Sequence, residues 1–218
     1  MAWTLPVILC TIGATVVAYL LGSCNFAIII TKLFANDDIR NHGSGNAGLT
    51  NVLRTLGKGP ALLTLIGDFS KGILSVILVR LLLHYIAGVN DFYVADYIVA
   101  IAALLGHNFP LYYGFRGGKG ILVSFGAVMI LSPIAGTICF IGFLLAVIFT
   151  KYVSFGSIVA CILFPITTQL FYYLKTSTFS LTQLILALCI SALIIFMHRS
   201  NISRLLHGKE SKLSFKRK

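Results

Sequence analysis

Apolar residues run in long stretches along this chain, broken by short segments rich in glycine, asparagine and basic residues. The runs are continuous. A membrane barrel would show ~10-residue stretches of alternating character, so helices are the expected element. Seven spans are expected, at about 5–33, 60–83, 93–113, 121–131, 133–149, 153–174 and 181–197. A helix needs about 20 residues to cross the hydrocarbon, so the fourth is short and depends on compensation by protein or interface. No soluble domain, linker or internal repeat interrupts the pattern. The chain, 1–218, reads as a single all-α polytopic membrane domain.

The cations set the expected orientation. Lys32, Arg40, Arg54 and Lys58 follow the first span, Arg116 and Lys119 the third, and Lys151 the fifth. Arg199, Arg204, Lys209, Lys212, Lys216, Arg217 and Lys218 follow the seventh. The alternate loops hold Asp91 and Asp96, then almost nothing, then Lys175. Basic residues are retained on the cytoplasmic side. The N-terminus is therefore expected outside, and the C-terminus and the cation-rich loops in the cytoplasm.

Composition agrees with a membrane protein. Of 218 residues, 58% are hydrophobic and only 11% charged, with mean hydropathy +0.95, whereas soluble domains are ~25% charged. In a soluble protein the net charge of +11 would suggest nucleic acid. Gathered in short loops and a tail, it fits contact with anionic membrane lipid instead, and no nucleic-acid partner is expected. Cys10, Cys24, Cys139, Cys161 and Cys189 lie in apolar stretches without close pairing. They read as small buried hydrophobes rather than a disulfide framework or a zinc site. No cation precedes Lys32, so a removable signal peptide is not expected.

Three polar clusters carry the chemistry. The first runs from Gly43 to Arg54. It joins glycines that permit close ligand approach to the hydrogen-bonding Ser44, Asn46, Thr50 and Asn51 and the forked cation of Arg54. Thr50 and Arg54 share a face if the segment is helical. Asn46 or Thr50 could cap that helix, whose N-terminus would favour an anion. The second, from Gly67 to Gly72, places Asp68 and Lys71 three apart inside a span. Charges at that depth are functional candidates, although a structural ion pair reads the same way. Gly67 and Gly72 either let another backbone approach or let the helix unwind. The third joins Gly106, His107, Asn108, Phe109 and Pro110 to the glycine loop Gly114–Gly120. Pro110 should end or kink the helix at Phe109. Gly117, Gly118 and Gly120 around Lys119 would offer backbone N–H groups and fixed charge to a phosphate.

Two weaker groups follow. Ser154 and Ser157 open the sixth span, as ligands or as ordinary helix-start residues. His198, Asn201 and Arg204 end the seventh at spacings of three, on one face, as ligands or as a snorkelling basic end.

Several chemistries are excluded. The glycine loop is not a Walker A motif: Tyr113 stands five before Gly118, and Gly120 follows the lysine. No histidine has an acid five positions later, and no nucleophile elbow is present around Ser44. Asp68 is the only acid counted inside an expected span, so two metal ions find no carboxylate set, and no metal or other cofactor is expected. A transporter for organic phosphates would also use basic groups and broken helices, but near the midplane rather than crowded on one face.

These motifs together resemble the bacterial acylphosphate:glycerol-3-phosphate acyltransferases. The first looks like Gly-Ser-Gly-Asn-x-Gly-x-Thr-Asn-x-x-Arg from Gly43 to Arg54, and the second like Gly-Asp-x-x-Lys-Gly from Gly67 to Gly72. The third is similar to Gly-His-x-Phe-Pro from Gly106 to Pro110, followed by Phe-x-Gly-Gly-Lys-Gly from Phe115 to Gly120. The tail from His198 to Leu205 resembles the family's C-terminal pattern. Leu49 stands where the family commonly has Ala, and Arg116 where Lys is common.

The resemblance implies a seven-helix protein of the bacterial inner membrane with its active site on the cytoplasmic side. It implies transfer of a fatty acyl group from acyl phosphate to the sn-1 hydroxyl of glycerol 3-phosphate, giving lysophosphatidic acid and phosphate. Ser44, Arg54, Lys119 and His198 are then the candidates for the catalytic centre. Ser44, Asn46, Thr50, Asn51 and Arg54 are expected around the acyl phosphate. Lys119, His198 and Asn201, with Ser157, are expected around glycerol 3-phosphate, and which cluster takes which phosphate stays open. Asp68 and Lys71 are expected to position the glycine loops. The proton acceptor is the departing phosphate, His107 or His198. A functional monomer is compatible with this reading.

Overall fold

The structure, a computed structural model, describes residues 3–213; Lys216, Arg217 and Lys218 of the basic tail lie outside the described residues. All regular structure among the described residues is helical. The helices are α1 (Leu5–Ser23), α2 (Phe26–Ala35), α3 (Leu49–Leu56), α4 (Lys58–Tyr85), α5 (Tyr93–Asn108), α6 (Ile121–Leu131), α7 (Pro133–Thr150), α8 (Val153–Thr176), α9 (Leu181–Met197) and α10 (Arg199–Leu206). They divide into two compact units, Met1–Leu131 and Ser132–Lys218.

Five helical segments are long and apolar enough to cross a membrane, and the pair α9–α10, bent by 61°, makes a sixth if taken as one span. The expected fourth span, α6, has 11 residues, or ~16 Å of helix against a ~30 Å hydrocarbon core. Length alone thus supports five or six of the seven expected crossings. The expected first span, 5–33, is two helices broken at Cys24 and Asn25. Asn25 starts the second by accepting from the N–H of Ile28 at 3.2 Å.

In the first unit α1 packs on α5 and α4, and α4 packs on α6. α1 carries no charged residue, and residue size sorts its faces. On α1 the buried row is Val7, Ala14, Ala18 and Gly22, whereas Leu5, Leu9, Ile12 and Val16 face outward. Gly22 lies against the Ala103 carbonyl, and Gly106 of α5 against that of Tyr19. The α4–α6 seam repeats the device: Gly72 meets the Val123 carbonyl and Gly126 that of Phe69. α4 runs unbroken past Gly67 and Gly72, so the helix does not unwind; Gly72 admits the backbone of α6, whereas Gly67 makes room for the Phe26 ring.

One acid departs from the expected pattern. Asp96 is not in a loop but in the first turn of α5, buried and paired with Arg80 of α4 at 2.6 Å. Asp68 is therefore not the only acid within a span.

In the second unit α8 packs on α7 and α9. Pro165 sits inside α8 and removes the N–H that would bond the Cys161 carbonyl. Ser191 of α9 takes that carbonyl at 2.8 Å, so the apolar interior keeps its backbone satisfied.

Candidate active site

The second polar cluster sits on the break between α1 and α2. Lys71 donates to the carbonyls of Gly22 (2.9 Å) and Cys24 (3.0 Å), which the interrupted helix leaves open. Asp68 lies 2.9 Å from Lys71 and faces the first N–H of α2, at Phe26, at 3.4 Å. The cation thus meets a helix C-terminus and the carboxylate a helix N-terminus, the polarity that the macrodipoles favour. Asp68 is 1% exposed and Lys71 3%, so the expected ion pair is present and nearly dry.

His107 of α5 joins this pair, with Nδ1 at 3.0 Å from Lys71 Nζ and 3.6 Å from Asp68. The three N–H groups of the Lys71 ammonium are thus shared among four neighbours, the two carbonyls, the Asp68 carboxylate and His107 Nδ1. α5 ends at Asn108, with Phe109 out of the helical conformation (φ −127°, ψ 67°) ahead of Pro110, as expected. The glycine loop then folds back on the helix end. Gly117 and Gly118 donate their N–H groups to the carbonyls of Asn108 and His107, each at 3.1 Å. Those two amides serve the end of α5 rather than pointing outward. Gly118 has no room for a side chain, because the His107 ring and the Ala47 carbonyl lie against it. Gly120 has φ +80°, with Leu104 and Asn108 packed where a Cβ would stand. α6 starts at the next residue, so Lys119 lies just ahead of a helix N-terminus.

The first cluster is cinched by Asn51 of α3. Its Oδ1 accepts from the N–H of Ser44 at 3.1 Å. Its Nδ2 faces the carbonyls of Ile39 (3.1 Å), His42 (2.9 Å) and Asn46 (3.1 Å). Asn51 is 2% exposed and spends its amide on the loop itself. Ser44 is exposed at the loop tip and Asn46 half-buried. Thr50 and Arg54 both lie on α3, as the helical spacing predicted. Neither Asn46 nor Thr50 caps that helix: Gly48 occupies the N-cap, without a side-chain bond. The loop before it is tied down by Asp38 and Arg40, paired at 2.7 Å. The Arg40 hydrogen bonds hold the Asp38 carboxyl below its ordinary pKa, and those same bonds raise that of Arg40.

The remaining candidates belong to the second unit. Ser157 is buried on α8 and donates to the Val153 carbonyl at 3.0 Å. His198 stands at the bend between α9 and α10, and its Nδ1 donates to the Ile194 carbonyl at 2.8 Å. Asn201 donates to Glu210 at 2.7 Å, as do Ser154 at 2.8 Å and Arg204 at 2.7 Å. Burial pushes the Glu210 carboxyl up, but these hydrogen bonds outweigh it and leave the group below its ordinary pKa. Glu210 had no part in the expected site. The available signal was its isolation: it is the only glutamate in the chain, in a tail whose other charged residues are all cations. Among the described residues no three His, Cys, Asp or Glu side chains are grouped so as to hold a metal ion.

Comparison with known proteins is consistent along nearly the whole chain. The family described as glycerol-3-phosphate acyltransferase matches residues 12–208. Similar proteins include the glycerol-3-phosphate acyltransferase of Clostridioides difficile (strain 630), 42% identical over 93% of this chain and 95% of that one. Another is that of Neisseria meningitidis serogroup C / serotype 2a, 41% identical over 94% of this chain and 98% of that one. Two solved structures of PlsY (YgiH), an integral membrane glycerol 3-phosphate acyltransferase, are also similar. Its glycerol 3-phosphate form matches with TM-score 0.80 and 35% identity, over 94% of this chain and 96% of that one. Its lysophosphatidic acid form matches with TM-score 0.77 and 34% identity, over 94% and 95%.

Proposed function

The chain belongs to the glycerol-3-phosphate acyltransferase family, and from that premise we propose that it moves a fatty acyl group from acyl phosphate to the sn-1 hydroxyl of glycerol 3-phosphate. The hydroxyl oxygen attacks the acyl carbonyl, the bond to phosphate breaks, and phosphate leaves as lysophosphatidic acid forms. The single observation that supports this reading is the convergence of three distant motifs in one unit. Lys71 of the second touches His107 of the third, and the Ala47 carbonyl of the first lies against Gly118 of the third.

The donor is already an activated mixed anhydride, so the protein has to supply position and positive charge rather than a better leaving group. No cofactor is required. Ser44, Asn46, Thr50 and Arg54 take the acyl phosphate, with Asn51 shaping their loop. Lys119 takes glycerol 3-phosphate. Ser157, His198 and Asn201, in the second unit, keep the role in binding glycerol 3-phosphate that the motif pattern gives them. The departing phosphate takes the hydroxyl proton. His107 is unsuited to that task, since it is buried and its Nδ1 faces Lys71 and Asp68 rather than an open site. The protein works as a monomer in a bacterial inner membrane, with seven crossings and the motif loops on the cytoplasmic side.

Purified protein given palmitoyl phosphate and glycerol 3-phosphate should release phosphate and lysophosphatidic acid in equal amounts. Equal use of acyl-CoA, or no acyl transfer, would sink the proposal. Arg54→Ala and Lys119→Ala should each lower kcat/KM on the order of 100-fold, as removal of a charged donor at a transition state does. Lys151→Ala should match the unaltered protein.

A further inference from the structure

Arg40 spends its whole guanidinium on two loops. Nε and Nη2 grip the Asp38 carboxylate at 2.7 to 3.0 Å. Nη1 crosses to the glycine loop and donates to the carbonyls of Tyr113 (2.8 Å) and Arg116 (3.0 Å). Asp38 also accepts from the Arg40 N–H at 2.9 Å and so caps the short 3-10 turn Ile39–Asn41 that leads into the first motif. These groups line a cavity of about 410 Å³ with Asn41, Tyr112, Gly114 and Arg116. The loop that carries Ser44 and the loop that carries Lys119 are therefore joined by one side chain, 76 residues from its farther partner.

We infer that Arg40, oriented by Asp38, is a positioning residue that sets the spacing between the two phosphate-binding loops. The inference rests on the acyl-transfer reading above. A planar fork can serve a carboxylate on one edge and two carbonyls on another, whereas an ammonium cannot reproduce that geometry. Each loop keeps its own binding groups without the clamp, so the loss should fall on reaction rather than on binding. Misplacement of reacting groups by an ångström costs about 100-fold in rate.

The test is two-substrate kinetics on Arg40→Gln, Arg40→Lys, Asp38→Asn and Arg116→Gln, each as the monodisperse, folded full-length protein. Arg40→Gln and Arg40→Lys should both lose roughly 10- to 100-fold in kcat while each KM moves less than about threefold. Asp38→Asn should lose less, since an amide oxygen still accepts from the fork. Arg116→Gln should be unaffected, because Arg116 contributes only its carbonyl to the clamp. Full activity in Arg40→Lys would show that charge alone matters and overturn the inference. So would a loss confined to KM, or one explained entirely by unfolded protein. An inactive unaltered protein would instead refute the acyl-transfer reading, so the two failures are distinguishable.

Discussion

α4 carries two ion pairs, and they are held in different ways. Lys71 and Asp68 lie where α1 breaks, and the break supplies two carbonyls to the cation and a helix N-terminus to the carboxylate. Nine residues on, or about 14 Å along the helix, Arg80 pairs with Asp96 and donates to the Ile130 carbonyl at the end of α6. Asp96 Oδ1 has no hydrogen-bond partner there, and Arg80 is 34% exposed. Both pairs carry a desolvation cost. The first pair is enclosed by segments of the candidate site, and the second fastens the far ends of α4, α5 and α6. Buried charge on one helix thus organises a site at one level and packing at the other.

The contrast breaks most sharply at Lys71. Lys71→Met strands the Asp68 carboxylate and leaves the Gly22 and Cys24 carbonyls without their donor. Unfolding stability should fall by about 3–5 kcal/mol, and turnover per folded molecule at least about 10-fold as the glycine loop shifts. Adding Asp68→Leu removes the stranded charge and should restore most of the stability without restoring turnover. Recovery of both by the double variant would reduce the pair to a packing device. Thermal unfolding in detergent and phosphate release from the same preparation read the two quantities.

Arg80→Leu should show the opposite balance. Its partial exposure weakens the pair, so the expected loss is about 1–2 kcal/mol, with kcat and both KM values of the folded protein unchanged. A fall in kcat as large as that of Lys71→Met would erase the distinction between the two levels of α4.

The smallest effect concerns carboxylates near the surface. Glu210 lies below its ordinary pKa through Asn201, Arg204 and Ser154, and Asp38 through Arg40. A depressed carboxylate adds stability above its unfolded pKa and loses it as pH falls through the folded value. The melting temperature should therefore hold from neutrality to about pH 5, then drop through the range of the unfolded groups near pH 4. Glu210→Gln should flatten part of that acid limb. An unaltered limb would mean the carboxylate is not held as described.

Much of the site was legible because glycine, asparagine and charge stand out against an apolar chain. The spacing of Asp68 and Lys71 was enough to pair them, and Pro110 was enough to end α5. The Arg80–Asp96 pair was missed because Asp96 stands three residues into α5, next to a loop, and Arg80 near the end of α4 reads as a terminal cation. Asn51 looked like a ligand, since an amide aimed at three carbonyls of its own loop has the same sequence signature as one aimed at a phosphate. The amides of Gly117 and Gly118 looked available for the same reason, until the loop turned back onto the end of α5.

The sequence by itself determined that this is a helical membrane protein, where its polar clusters lie, and which family they resemble. Hydropathy and residue type are local properties, and a bilayer leaves little choice beyond helices. Only the tertiary structure decided which face of each helix is buried, because α1 is apolar all round and its small residues become meaningful only against Ala103 and Gly106 of α5. Only the tertiary structure, likewise, brought Lys71 to the open carbonyls of a broken helix and Arg40 to a loop more than seventy residues away. Those contacts depend on where a helix break and a turn fall in space, and no local pattern encodes that.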